Sequence, residues 1–268
     1  MRRNTTRELL GGVNTWVTGE LDASTVPVTL LHPVGLNGRS LDPLVELLSD
    51  ACVLRPDFPG HGDSPFPHRR LHLEDLVATM QAMWDAAGVR RSVVVGVSLG
   101  GMVAQGLTMR EPERVAGLGL ICTTSQFAPE ARDALVERAA LAERDMSTLI
   151  DLTLERWFSP AALAAETSVV AEARACLSAV RPAEHAAYWR AMKELDFLPP
   201  ATSGWTPPPT VVVGGRADVS MPPAVQQLLA ARIPGAHLVM VEGPHLVALE
   251  SPHLVAPHLR DLLAGTAA

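Results

Sequence analysis

Short apolar runs rich in β-branched residues alternate along this chain with longer segments whose apolar positions recur every three or four residues. Pro27 to His32 (PVTLLH) reads as a buried strand. From Ser40 to Leu48, the residues Leu41, Leu44, Val45 and Leu48 fall at helical spacing behind a serine suited to cap them. The pattern then predicts a strand at Cys52–Arg55, a helix at Leu73–Ala87, a strand at Ser92–Val97, a helix at Gly100–Arg110 and a strand at Val115–Ile121. After Ile121 the rhythm breaks. Residues 125 to 200 are rich in Ala, Glu and Arg and contain no strand-like run, which predicts helices. The alternation resumes with a strand at Thr210–Val213, a helix at Ala224–Arg232, a strand at His237–Val241 and a last helix at Pro252–Leu263. Such alternation implies an α/β fold, a mostly parallel sheet with helices on both faces. Residues 1–124 and 205–268 would form its core and residues 125–204 a helical lid insertion. The prolines at 199–200 and 207–209 mark the return to the sheet.

Composition narrows the function classes. The 268 residues are 47% hydrophobic and 19% charged, enough for one large core and too apolar for a disordered chain. A net charge of −7, with no basic cluster beyond Arg2, Arg3 and Arg7, argues against nucleic acid and anionic membranes as partners. No apolar stretch follows those arginines, so no signal peptide is expected, and no window approaches the roughly 20 apolar residues of a membrane span. Cys52, Cys122 and Cys176 are odd in number and far apart, without metal-ligand spacing. They read as free thiols in a reducing cytoplasm, and no metal is expected.

The strongest local signal is Gly96-Val97-Ser98-Leu99-Gly100-Gly101, where an apolar strand ends and a helix should begin. A GxSxG turn in that context presents the serine hydroxyl on a sharp bend, and the following helix aims its amides at the site. Ser98 is therefore the candidate nucleophile. It needs a base, and the base needs an orienting carboxylate. Of the nine histidines, four lie beyond the helical block: His237, His245, His253 and His258. His237 opens a strand, and His253 and His258 fall on the last predicted helix. His245 follows a strand directly, in Glu242-Gly243-Pro244-His245, where sites of open α/β sheets form. The candidate acid is Asp218, just past the strand ending at Val213; the end of the preceding strand, Thr123-Thr124-Ser125, offers no carboxylate. For an oxyanion, Leu99 would give one backbone amide. Val34 would give the other, since Pro33 before it has no N–H.

Together these residues resemble the α/β-hydrolase superfamily across essentially the whole chain. Asp57-Phe58-Pro59-Gly60-His61-Gly62-Asp63-Ser64 is similar to its glycine-rich turn after the second parallel strand; Glu111 to Val115 and Glu250-Ser251-Pro252 also match. Within it, Ser98 to Met102, Arg156 to Pro160 and Tyr188 to Phe197 resemble the 3-oxoadipate enol-lactone hydrolases. That family usually carries an Asn-Ser-Leu-Gly-like loop where this chain has His32-Pro33-Val34-Gly35.

The resemblance implies cleavage of a small carboxylic ester or lactone through an acyl-enzyme, with no metal or organic cofactor. The insertion would roof the pocket, with His32, Trp157, Phe158, Tyr188 and Trp189 as candidate walls. The same three residues also serve cofactor-free perhydrolases or haloperoxidases and carbon–carbon bond hydrolases, and a ligand receptor can retain them. The sequence leaves both a monomer and a homodimer open.

Overall fold

The computed structural model describes residues 4–22, 25–48, 51–67 and 70–266. Its centre is an eight-stranded sheet in the order β1-β2-β4-β3-β5-β6-β7-β8. The strands are β1 (Thr5–Leu10), β2 (Val13–Thr18), β3 (Val28–Leu31), β4 (Val53–Pro56), β5 (Ser92–Val97), β6 (Val115–Ile121), β7 (Thr210–Gly215) and β8 (His237–Val241). β1 pairs antiparallel with β2, and β2 antiparallel with β4; β3 to β8 are all parallel. Strands β3 to β7 are buried at every position, as expected of a parallel sheet covered on both faces.

The helices are α1 (Asp42–Val45), α2 (Leu73–Ala86), α3 (Leu99–Arg110), α4 (Pro129–Arg144), α5 (Met146–Trp157), α6 (Pro160–Ala164), α7 (Ser168–Ala179), α8 (Pro182–Met192), α9 (Pro223–Arg232), α10 (Val247–Glu250) and α11 (Ala256–Thr266). Helix α2 buries Leu73, Leu76, Val77, Met80, Met83 and Trp84, the stripe of an amphipathic helix. Helix α3 is different: it is buried from Leu99 to Thr108 and presses on the sheet through its glycines. A Cβ on Gly100 would stand 2.2 Å from the carbonyl oxygen of Leu31 in β3. Five helices, α4 to α8, fill the break between β6 and β7. No helix of the described residues is long and apolar enough to cross a membrane.

Three local expectations are corrected. The hairpin β1–β2 was not expected; its two-residue turn is Gly11-Gly12, with φ of 57° and 87°, the positive pair that a tight hairpin of this twist demands. The segment after β3 is a 3₁₀ turn (Gly38–Leu41) running into the single turn α1, and Asn37 rather than Ser40 caps it, its side chain accepting the Ser40 N–H. The last predicted helix is two pieces: His253 lies in a 3₁₀ turn (Pro252–Leu254), and only His258 is on α11.

The topology places the site. After β3 the chain moves outward to β4, then crosses back to β5 and proceeds the other way to β6. The loops leaving β3 and β5 therefore diverge, opening a crevice at the carboxyl ends of the two central strands.

Candidate active site

Ser98 sits in that crevice, at the corner between β5 and α3. Its backbone has φ 53° and ψ −113°, a region that side chains other than glycine rarely occupy. Neighbouring bonds hold the corner: the Ser98 N–H donates to the Ile121 carbonyl, and the Ser98 carbonyl accepts from Gly101 N–H and from the Thr123 hydroxyl. The corner is possible only because Gly96 lacks a side chain; its Cβ would lie 2.2 Å from the backbone of Gly100.

His245 arrives from the loop after β8 and Asp218 from the loop after β7. The Ser98 hydroxyl lies 3.0 Å from His245 Nε2, and His245 Nδ1 lies 2.8 Å from Asp218 Oδ2. All three are buried. The other oxygen of Asp218 accepts the backbone N–H groups of Ser220 and Met221, each at 2.8 Å. With that oxygen committed, Oδ2 accepts the Nδ1–H of His245. The tautomer follows: the Nε2 lone pair faces Ser98 and can take its proton. The two loops pack backbone to backbone, since a Cβ on Gly215 would meet the carbonyl of Gly243 at 2.5 Å.

Cys122, at the end of β6, lies beneath this pair. The donor atoms of Cys122, Asp218 and His245 fall within 4.8 Å of one another, the arrangement among the described residues that could hold a metal ion. Burial and the charge of Asp218 push the Cys122 thiol well up, which keeps it neutral. Asp218 and His245 are already engaged with each other, so this set fits a proton-transfer pair better than a metal cage.

The Val34 and Leu99 backbone amides have no acceptor among the described residues. Val34 and Ser98 face one cavity, and Leu99 follows Ser98 at the first turn of α3. The loop carrying Val34 is held from behind by two buried histidines. The ring of His32 donates through Nδ1 to the Pro33 carbonyl and accepts the Phe58 N–H at Nε2. His61 Nε2 accepts the Gly35 N–H. Burial lowers His32 to about 4 and His61 to about 3, so both stay neutral and able to accept.

The cavity measures about 300 Å³, a size suited to a small molecule. Ser98 and His245 form its floor, with Trp157, Trp189, Leu135 and Met192 from the α4–α8 helices above. Of the sequence-expected walls, Trp157 and Trp189 line it; His32, Phe158 and Tyr188 do not. His32 is a loop clamp, Phe158 is buried in the core, and the Tyr188 hydroxyl donates to the Pro59 carbonyl behind the site. The sequence singled out none of the other lining residues as walls, and two of them are charged, Arg138 and Arg156. Their sequence signal was a charged residue within an inward-facing stripe, as in Ala131, Leu135, Arg138 and Ala142.

The model of the alpha/beta hydrolase family matches residues 30–258. The chain belongs to that family. This hydrolase is 34% identical over 135 residues to a pimeloyl-[acyl-carrier protein] methyl ester esterase of Vibrio parahaemolyticus, a match spanning about half of each chain (49% and 51%). It is 30% identical over 225 residues to the esterase of that name from Aromatoleum aromaticum, covering 79% of this chain and 87% of the relative. Among solved structures, the enol-lactonase from Burkholderia xenovorans superposes with a TM-score of 0.86 at 26% identity, covering 97% of this hydrolase and all of that chain.

Proposed function

We propose that this hydrolase cleaves a small carboxylic ester or lactone through an acyl-enzyme on Ser98. The observation that carries the reading is the continuous line from Ser98 Oγ through His245 to Asp218, at 3.0 and 2.8 Å, opening on a cavity that also receives Val34. Ester-cleaving and enol-lactone-cleaving relatives support the same reading.

In this mechanism Oγ bonds to the substrate carbonyl carbon as its proton passes to His245 Nε2. The carbonyl oxygen becomes an oxyanion held by the Val34 and Leu99 amides. As the tetrahedral intermediate collapses, the bond to the alkoxy oxygen breaks and His245 protonates the departing alcohol; in a lactone that alcohol stays tethered to the acyl group. Water then loses a proton to His245 and attacks the acyl-enzyme, releasing the acid and restoring Ser98. Asp218 orients the imidazole and stabilises its cationic form. Helices α4 to α8, within residues 125–204, act as the lid that limits substrate size. We place the enzyme in a reducing cytoplasm, where Cys52, Cys122 and Cys176 would remain the free thiols they are here.

The test is steady-state hydrolysis of p-nitrophenyl acetate, p-nitrophenyl butyrate, simple lactones and an enol-lactone by wild type and Ser98→Ala. Turnover that falls by about 10³-fold or more in a folded Ser98→Ala protein supports the reading. A wild type inert on every ester and lactone, or a Ser98→Ala variant as active as wild type, overturns it.

A further inference from the structure

We propose that Gln226, on α9, is a positioning residue of the active site: its side-chain amide ties the Ser98 corner to the Asp218 loop and so sets the gap that His245 spans. This rests on the hydrolase reading and deepens it. Gln226 does not line the cavity and acts only through other residues.

Helix α9 buries Gln226 and Leu229. A glutamine on the core-facing side of a helix is costly unless its polar atoms find partners. Gln226 is fully buried and reaches inward over Gly214 of β7, where a Cβ would stand 2.6 Å from its Cγ. Its Nε2 donates to two carbonyls on different loops, Thr123 at 2.9 Å and Met221 at 3.2 Å. Both partners only accept, so the amide nitrogen must face them. Its Oε1 is buried without a hydrogen-bond partner among the described residues. An apolar side chain of the same length would avoid that orphan oxygen. The two bonds on the nitrogen side are therefore what a glutamine contributes here.

Those bonds close a circuit behind the catalytic groups. The Thr123 hydroxyl donates to the Ser98 carbonyl at 2.7 Å, and the Thr123 carbonyl accepts from Gln226. Gln226 also donates to the Met221 carbonyl, and the Met221 N–H donates to Asp218 Oδ1 at 2.8 Å. In front, His245 joins Ser98 Oγ and Asp218 Oδ2 at 3.0 and 2.8 Å. Sheet pairing holds β6 to β7 as far as Cys122, whose N–H donates to the Val213 carbonyl. Beyond it the two chains part, and Gln226 bridges them. His245 comes from a third loop, so both of its bonds stay short only while Ser98 and Asp218 keep their separation.

A second buried glutamine supplies the comparison. Gln105 on α3 donates through Nε2 to the Gly101 carbonyl at 3.0 Å and the Thr124 carbonyl at 2.9 Å, and its Oε1 is likewise unpartnered among the described residues. It grips the same loop after β6, but neither bond goes to the Asp218 loop.

The experiment follows p-nitrophenyl butyrate hydrolysis across pH, and labelling of Ser98 by diisopropyl fluorophosphate read by intact mass. Wild type, Gln226→Met, Gln105→Met and Thr123→Val are compared, with thermal melts of each. Gln226→Met keeps the volume and removes the donor. Its kcat should fall about 10- to 100-fold with KM changed less than about threefold, and labelling should slow in step. A loosened Asp218 stabilises the protonated imidazole less, so the acid limb of its kcat/KM–pH profile should move to lower pH by about half a unit or more. Gln105→Met should lose comparable thermal stability and keep the acid limb in place. A folded Gln226→Met with kcat and labelling within about threefold of wild type, or with lower activity and an unmoved acid limb, overturns the inference. If Gln226→Met does not fold, Thr123→Val decides, because it cuts the circuit at the Ser98 end with little change of shape. Labelling slowed by about 10-fold supports the circuit, and unchanged labelling overturns it. A wild type that is labelled but cleaves no ester defeats the hydrolase reading alone, and the same labelling comparison then decides the inference. A wild type that is neither labelled nor active overturns both.

Discussion

His61 Nε2 accepts the backbone N–H of Gly35 at 2.9 Å, so the turn after β4 grips the loop after β3 one residue beyond Val34. The same ring packs edge-on against Tyr188, whose hydroxyl is tied to Pro59 two residues before His61. The position of the Val34 amide is thus set by a histidine that does not line the cavity. Replacing His61 with Phe keeps much of the ring volume and removes the acceptor. Kinetics on p-nitrophenyl butyrate should show kcat reduced about 10- to 100-fold, short of the roughly 10²- to 10³-fold cost of losing an oxyanion donor outright, with KM changed less than threefold. A loss confined to KM, or none, would show that the Gly35 bond does not position the oxyanion site.

The same buried histidines make the fold sensitive to acid. His32, His61 and His185 are held at about 4, about 3 and about 3, first by burial, with His32 lowering His61 and His61 lowering His185. Their unfolded values lie near 6.5, so between those limits the unfolded chain binds protons that the native protein does not. Stability is then fully present above about pH 6.5 and is lost as pH falls toward the folded values. At pH 5 each neutral-held histidine should subtract about 2 kcal/mol relative to pH 7.5. Burial raises Asp57 and Glu172, which work in the opposite sense. Urea midpoints measured from pH 7.5 to 5 should fall steadily, and His185→Leu should flatten the slope. A flat profile would mean that these rings are not kept neutral in the folded state.

Much of this arrangement was legible in the sequence, for identifiable reasons. Ser98, Asp218 and His245 each follow a strand whose apolar run is unmistakable, and chain order in a parallel sheet is enough to bring such loops together. The first hairpin was missed because β1 is exposed over most of its length and carries no apolar alternation; only Gly11-Gly12 announced it. The cavity walls were harder. Aromatic residues at helical spacing identify a buried face, but Tyr188 and Trp189 are neighbours on α8 that point to different places: one backs the Pro59 turn, the other lines the cavity. That distinction depends on how α8 is set between α4 and the Pro59 turn, which no local pattern encodes.

The contact between Gly100 and Leu31 gives a sharp test of packing. A methyl group at Gly100 would stand 2.2 Å from the Leu31 carbonyl oxygen and 2.6 Å from its carbon, both backbone atoms of a central strand that cannot yield. Gly100→Ala should cost about 3 kcal/mol or more, at the upper end of overpacking, and should abolish the Ser98 geometry. Gly265, on α11 with nothing within 4 Å of its Cβ position, provides the contrast. There alanine should add up to about 0.5–1 kcal/mol through helix propensity. Urea titrations of the two variants should move in opposite directions; equal effects would remove the steric argument.

On the opposite side of the site, Arg55 is a cation buried in β4. It pairs with Asp42 and donates to Thr18 Oγ1 at 2.7 Å. The partner is not equally buried, since the Asp42 side chain is 35% exposed. That asymmetry predicts unequal substitutions. Asp42→Ala takes the Asp42 carboxylate away from a buried guanidinium, which keeps Thr18 and its other contacts, and should cost about 3 kcal/mol, the lower end for a broken buried pair. Arg55→Met removes the charge, keeps an apolar stem of similar length and should cost less, about 1 kcal/mol. Once Arg55 is Met, removing Asp42 as well should add almost nothing. Denaturant unfolding of the two single variants and the double variant closes the cycle. If Asp42→Ala proves as mild as Arg55→Met, Asp42 is not the group that makes burial of Arg55 tolerable, and the remaining contacts of the guanidinium suffice.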